Sequence, residues 1–294
     1  MIYFLRPITA MDVSKIAMNK TILLEDRGVV EARGPDAGKF LHGLVTNDIL
    51  GLAPGEARFA ALLTPQGKIL FDFLVFAATG ERFFLDCPRA LADDLLKRLS
   101  LYRLRAQVDL ANCSDDLAVV AFEGDASPTG ARTLASAVDP RANMGGRAIV
   151  ARNSMATTPD RADRVGYEAR RIRLGLPAGG VDFVYGDAFP HETNMDLLNG
   201  IDFGKGCYVG QEVVSRMKHR GGPRKRVIRY RVEGDAPPAG EVVRAGESEI
   251  GVTGSCAQGE GLALVRLDRL TEALANGDIP VAAGRTLRFD PPPA

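Results

Sequence analysis

The densest reactive chemistry in the chain lies between residues 200 and 221, Gly-Ile-Asp-Phe-Gly-Lys-Gly-Cys-Tyr-Val-Gly-Gln-Glu-Val-Val-Ser-Arg-Met-Lys-His-Arg-Gly. Four glycines precede Val213, and among them stand Lys205, Cys207, Tyr208, Gln211 and Glu212. A backbone this permissive beside polar side chains suits a loop that closes on a ligand. Cys207 has the widest chemical reach, because a thiolate is both nucleophile and metal ligand. Lys205 and Arg216 are the nearby cations that would favour that form. The plainer alternative is a tight turn into an amphipathic helix, with Cys207 a small buried hydrophobe. Arg216, Lys218, Arg220, Arg224, Lys225 and Arg226 follow without an acidic residue between them, which suits either an anionic ligand or a solvated face.

Other chemistries lack their sequence support. Gly34-Pro-Asp-Ala-Gly-Lys39 is one residue short of a phosphate loop and has Phe40 where a hydroxyl is needed; Gly200 to Lys205 fails by the same spacing. There is no G-x-G-x-x-G, G-x-S-x-G or H-E-x-x-H. Cys87, Cys113, Cys207 and Cys256 are far apart, as are the three histidines, so neither a disulfide framework nor a local metal site is expected. Lys and Arg together equal Asp and Glu, so no long-range field attracts polyanions. Direct nucleic-acid binding is therefore not expected, and Tyr208 and His219 are too few for a base-stacking series. The longest apolar run, Ile69 to Ala78, is interrupted by Asp72 and falls short of a membrane span of roughly 20 residues. The N-terminus lacks a secretory pattern, which points to a cytoplasmic protein, and residues 1–17 read as an extension ahead of the first patterned segment.

The elements that must position the cysteine loop follow from periodicity. Residues 21–32 read as a hairpin around Glu25-Asp-Arg-Gly, followed by a helix with Ala37, Phe40, Leu41, Leu44 and Val45 on one face. Phe59 to Leu63, Ile69 to Phe76 and Arg82 to Asp86 are strand-length runs joined by short turns, an antiparallel meander. A helix from Arg89 to Leu99 carries Asp93–Lys97 and Asp94–Arg98 as i,i+4 pairs. Strands are expected at Ala106 to Leu110 and Leu117 to Phe122, and helices at Thr129 to Val138 and Asp160 to Leu174. Beyond Gly221-Gly222-Pro223, five short strands between Gly and Pro clusters have the cadence of a small barrel. The expected class is α+β with antiparallel sheets and a C-terminal β-barrel.

Lys205-Gly-Cys-Tyr-Val-Gly-Gln-Glu212 matches the K-G-C-[FY]-x-G-Q-E signature of YgfZ-type folate-binding proteins, relatives of the glycine-cleavage T-protein. Phe40 to Asp48, Leu63 to Asp72, Arg173 to Pro177 and Pro190 to Asn194 are similar to further landmarks of that family, in order, so the resemblance covers most of residues 22–226. It implies a T-protein-like folate-binding region, partly ferredoxin-like, around a central opening. The corresponding division is a discontinuous folate-binding domain at 18–52 and 117–221, an antiparallel α+β subdomain at 53–116 and a barrel at 222–294.

The resemblance also implies binding of tetrahydrofolate or a one-carbon derivative, and support of iron–sulfur cluster assembly or repair, including clusters of tRNA-modifying enzymes. The implied partners are folate and iron–sulfur assembly proteins or client enzymes, with no membrane. Cys207 is the expected reactive residue, on a loop bordering a pterin cavity. Glu192 and Glu212 are candidates to receive the pterin N–H and amino group as a bidentate pair; a first-turn helix acid is the alternative for Glu212. Lys205, Tyr208, Gln211, Arg216, Asn47 and Asp48 are the remaining candidates for folate contact. A folate-dependent aminomethyl or one-carbon transferase is the alternative function. Against it, the G-Y-T-G-E stretch of T-proteins is absent, with Val165-Gly-Tyr-Glu-Ala-Arg170 the nearest echo.

Overall fold

The computed structural model describes residues 21–123, 131–155, 161–219 and 221–293, with side chains of 161–163 excepted. The expectation for residues 1–17 lies outside them. The chain opens with β1 (Ile22–Leu23), β2 (Arg27–Arg33) and α1 (Ala37–His42). A meander follows, β3 (Ala57–Leu63), β4 (Ile69–Ala78) and β5 (Arg82–Pro88), then α2 (Ala92–Tyr102) and β6 (Asp109–Asn112). Next come β7 (Leu117–Phe122), β8 (Thr133–Val138), β9 (Gly146–Ala151) and α3 (Arg161–Arg173). A long segment without regular strands leads to α4 (Gln211–His219). The C-terminal part contains β10 (Lys225–Val232), β11 (Val242–Ala245), β12 (Ser248–Ala257), β13 (Glu260–Arg266), α5 (Leu267–Asn276), β14 (Pro280–Ala282) and β15 (Arg285–Phe289).

These strands make three antiparallel assemblies: a five-stranded sheet in the order β3-β4-β5-β2-β6, a four-stranded sheet β1-β7-β9-β8, and a closed barrel β10-β13-β12-β11-β14-β15. The α+β architecture with a C-terminal barrel is thus as expected. The five-stranded sheet is buried on both faces, which is why its strands read as nearly continuous apolar runs. Ala60, Leu62, Phe73, Val75 and Leu85 pack with Leu41 of α1 and with Leu95 and Leu99 of α2. Phe59, Ala61, Leu63, Phe76 and Phe84 pack instead with Val119 and Ile149 of the second sheet and with Met195 and Leu198. Each fully buried phenylalanine here contributes about 1.5–3 kcal/mol.

Three expectations are corrected. Residues 21–32 are not a hairpin: β1 pairs with β7 and β2 with β5 and β6, because the bend at Leu24 to Arg27 sends the two strands into different sheets. One consequence is that β2, from the segment 18–52, shares a sheet with the strands of 53–116. The helix expected at 129–138 is strand β8 where it is described, Ala135 and Ala137 being buried when β8 adds to the edge of β9. Such tertiary pairing overrides local propensity. On α2, Lys97 pairs with Asp94 at i,i+3, while Asp93 accepts from Asn112 Nδ2.

The barrel is tied to the rest by buried polar contacts. Arg226 of β10 grips both carboxylate oxygens of Asp196 at 2.9 Å. The Val227 amide donates to the Glu192 carbonyl. Arg171 of α3 bridges to Asp182 and to Ser255 of β12, and Arg173 pairs with Glu260 of β13.

Candidate functional site

Two of the sequence motifs meet to hold the cysteine loop. Thr46 Oγ1 donates to the Gly200 carbonyl at 2.6 Å and accepts from the Ala61 amide. Asn47 Nδ2 donates to the carbonyls of Asn199 and Phe59, at 2.7 and 2.8 Å. Asp202 Oδ1 accepts from the amides of Gly204 and Lys205, turning the chain back. Lys205 is buried, and its ammonium donates to the carbonyls of His42 and Val45 at the end of α1. Burial pulls Lys205 down to about 8, although Asp48 and Asp202 oppose the shift. Asp48 receives the amides of Leu50 and Gly51. Lys205 and Asn47 therefore serve the scaffold of the loop, while Asp48 closes its own turn.

A third motif meets the loop from below. Gly67, in the β3–β4 turn at φ +82°, and Gly210, also at φ +82°, touch through their backbones. A Cβ on Gly210 would stand 2.6 Å from the Thr64 carbonyl and 3.0 Å from Gly67 Cα; one on Gly67 would stand 2.9 Å from Val213 Cβ. No larger residue fits either side of this seam. Tyr208 is buried in the apolar cluster with Phe59 and Met195, and burial pushes its phenol up to about 12. Lys205 sits 4.8 Å from its ring centroid.

Between these two inward anchors, Gly206 and Cys207 are exposed. The thiol is thus presented at the tip of a braced loop and is not a buried hydrophobe. The cations expected to tune it are engaged elsewhere: Lys205 as described, and Arg216 with Glu212, its neighbour on α4, at 2.5 Å. Gln211 opens that helix. Glu212 is exposed on the surface. Glu192 is half-buried, accepts from the Phe189 amide, and burial pushes its carboxyl up. Of the basic run, Arg226 is the buried clamp on Asp196, whereas Lys218 lies over the Phe203 ring and Arg224 and Lys225 are exposed. Arg220 lies outside the described residues.

Sequence reasoning missed a small, mostly apolar cleft built around a buried acid. Phe59, Asp72, Arg141, Leu176, Phe183 and Met195 line it, between the five-stranded sheet and the segment before α4. Asp72 stands opposite Ala61 on the same sheet face as Phe59, and its Oδ1 accepts from the Tyr185 hydroxyl. Burial and the Asp72 carboxylate push the Tyr185 phenol up, so it remains a donor. Arg141 lies 5.4 Å from the Phe59 centroid and grips Asp139 at 3.0 and 2.7 Å. Burial works to raise the Asp139 carboxyl, but Arg141 and Arg147 hold it at about 2. Arg147 continues to Asp86, and Asp86 to Arg27, making a buried line of alternating charge behind the cleft. The only hint in the sequence was an acid interrupting an apolar strand. Neither Cys207, Glu192 nor Glu212 walls this cleft.

The donor set suits a reduced pterin: one carboxylate, aromatic and apolar walls, and a fixed guanidinium. The space does not. Its interior volume is about 10 Å³, room for about one water, against roughly 300–1,000 Å³ for a drug-sized ligand. Among the described residues no group of His, Cys, Asp and Glu could hold a metal ion, and no helix is long and apolar enough to cross a membrane.

Residues 15–170 match the GCVT N-terminal domain family, and residues 224–288 match the CAF17 C-terminal beta-barrel domain. Among curated proteins, the mitochondrial iron-sulfur cluster assembly factors IBA57 of Mus musculus and Homo sapiens are each 33% identical, over 74% of this chain and 67% of theirs. The IBA57 homolog of Neurospora crassa is 33% identical over 70% of this chain. The chain spans 52%, 62% and 58% of the length of the Neurospora crassa, Chaetomium globosum and Mycosarcoma maydis relatives. A solved structure, glycine cleavage system aminomethyltransferase T from Bartonella henselae, covers 92% of the chain with a TM-score of 0.67 at 16% identity, a likeness of fold. The relatives' names place them in mitochondria, which corrects the expectation of a cytoplasmic protein. The lack of a secretory pattern spoke against one destination only.

Proposed function

Because the chain belongs to the family of IBA57 iron–sulfur cluster assembly factors, on an aminomethyltransferase-type fold, we propose that it is an accessory factor that helps assemble or repair iron–sulfur clusters. The observation that carries this reading is the exposed Cys207 thiol on a loop braced by buried Lys205 and Tyr208. Thiolates are the ordinary ligands of such clusters, and an exposed one on a rigid tip can meet a cluster held by another protein. The cluster is cargo here, and the partners are assembly proteins or client enzymes, including those that modify tRNA. The YgfZ-type signature around Cys207 supports the same reading.

The test is restoration of iron–sulfur enzyme activity in cells lacking the endogenous relative. Cys207→Ser should abolish restoration while leaving the melting temperature unchanged, since exposed substitutions cost about 0.5 kcal/mol or less. Full restoration by the serine variant would remove the thiol from the mechanism.

Reduced folate is the ligand that the aminomethyltransferase-type fold and the Asp72 carboxylate support. When bound, it supplies one-carbon chemistry. Asp72 would receive the pterin N–H groups and Arg141 would face a carbonyl or carboxylate of the ligand. The cleft, about 10 Å³ as it stands, would have to widen to admit it. Titration with tetrahydrofolate should show saturable binding that Asp72→Asn weakens about tenfold or more, as expected for losing charged hydrogen bonds. Turnover of an aminomethylated lipoyl protein would replace the accessory reading with a transferase.

A further inference from the structure

A second cleft lies away from both the cysteine loop and the Asp72 cleft. It opens where the ends of the two sheets meet, with a volume of about 450 Å³, within the range of small-molecule sites. Arg82, Arg132 and Arg152 line it together with Asp116, Asn153 and an apolar floor that includes Leu134. We propose that this groove binds a small phosphate-bearing molecule, its anionic group held by the three guanidinium groups and its polar body by Asp116 and Asn153.

The argument rests on how the three cations are held. Arg82 is anchored by Glu31 and stacked 4.6 Å from the Phe84 centroid, so its direction is fixed. Arg152 is half-buried, yet what holds it is neutral: its Nη2 donates to the carbonyls of Ser114 and Leu117, and its Nε is buried without a hydrogen-bond partner. Arg132 is exposed at the rim, beside β8. Among the described residues neither Arg132 nor Arg152 forms an ion pair. The acid Asp115, also on the groove wall, is taken up by Arg89 at 2.6 Å, which leaves Asp116 as the one carboxylate facing three arginines. A half-buried guanidinium without a counter-ion is costly, and a ligand anion supplies one. Arginine forks match phosphate oxygens in geometry, and a phosphate can accept from several at once. The carboxylate and amide on the same wall suit hydroxyl or amino groups of the rest of the molecule.

The experiment is calorimetric titration of the full chain with pyrophosphate, inorganic phosphate and citrate at about 0.15 M salt, where loose surface attraction is screened. Saturable one-to-one binding of pyrophosphate is expected, at least about tenfold weaker in Arg132→Met and in Arg152→Met. Arg132 is exposed, so its variant keeps the test open if removing Arg152 impairs folding. Arg103→Met, an exposed cation elsewhere, and Cys207→Ser should both leave affinity unchanged, which makes the result independent of the proposed cluster chemistry. Absence of saturable binding overturns the proposal. So does equal weakening by Arg103→Met, undiminished affinity in Arg132→Met, or citrate binding as tightly as pyrophosphate.

Discussion

His191 is a buried imidazole that finds no hydrogen-bond partner. It is 2% accessible, both ring nitrogens lack partners, and it lies 5.9 Å from the Phe203 ring centroid. Burial lowers its pKa; Asp196 opposes that shift, and Arg226 and Lys218 add to it. The folded state therefore holds this imidazole neutral, whereas the unfolded chain protonates it at about 6.5. Because the unfolded state binds the proton more readily, the stability attached to His191 is complete above that value and is lost as pH falls below it. The unfolding free energy from urea titration should fall in mildly acidic buffer, by at most about 1.4 kcal/mol per pH unit from this group. His191→Gln should flatten that part of the profile, and an unchanged slope would assign the loss to other residues. Tyr185 and Asp72 illustrate what a sequence conceals at this scale. Asp72 was visible as a charge in an apolar run, but its meaning depends on Tyr185, 113 residues further on.

The element that decides presentation of the thiol is the seam between the β3–β4 turn and the start of α4. Gly210→Ala should destabilise the chain by about 1–3 kcal/mol, since it adds both a clash and a strained left-handed backbone. Its urea midpoint should fall further than that of Cys207→Ser, and cluster support should weaken although Cys207 itself is intact. A neutral outcome in the urea titration would mean that the seam is slack. The meander, the barrel strands and helices α2 and α3 were legible because their apolar periodicity is local. What was not legible depended on pairing partners: β8 shows no decisive period, and β1 and β2 separate only because β7 and β5 claim them. The candidate loop was legible as a motif of residues, and Cys207 does stand on it. The roles of Lys205 and Asn47 as braces were not, because each is defined by backbone carbonyls that the sequence does not pair.

At the level of the whole molecule, the barrel and the N-terminal sheets are coupled through Arg226, Arg171 and Arg173. Breaking a buried pair by removing one partner costs about 3–5 kcal/mol. Arg226→Met should lower overall stability by that order and loosen the joint. The chain has no tryptophan, so tyrosine fluorescence and circular dichroism are the probes, and their transitions should coincide in the native chain and separate in the variant. Coincident transitions in the variant would show that the clamp is dispensable for cooperativity. The barrel itself closes by β15 pairing with β10 and β14. That closure leaves the C-terminal unit without a free strand to lend, so an extended peptide seeking to continue a sheet has to add elsewhere. A chain stopped before Arg285 would unmask two ladders at once, and sedimentation should find it in higher-order species while the intact chain stays dispersed.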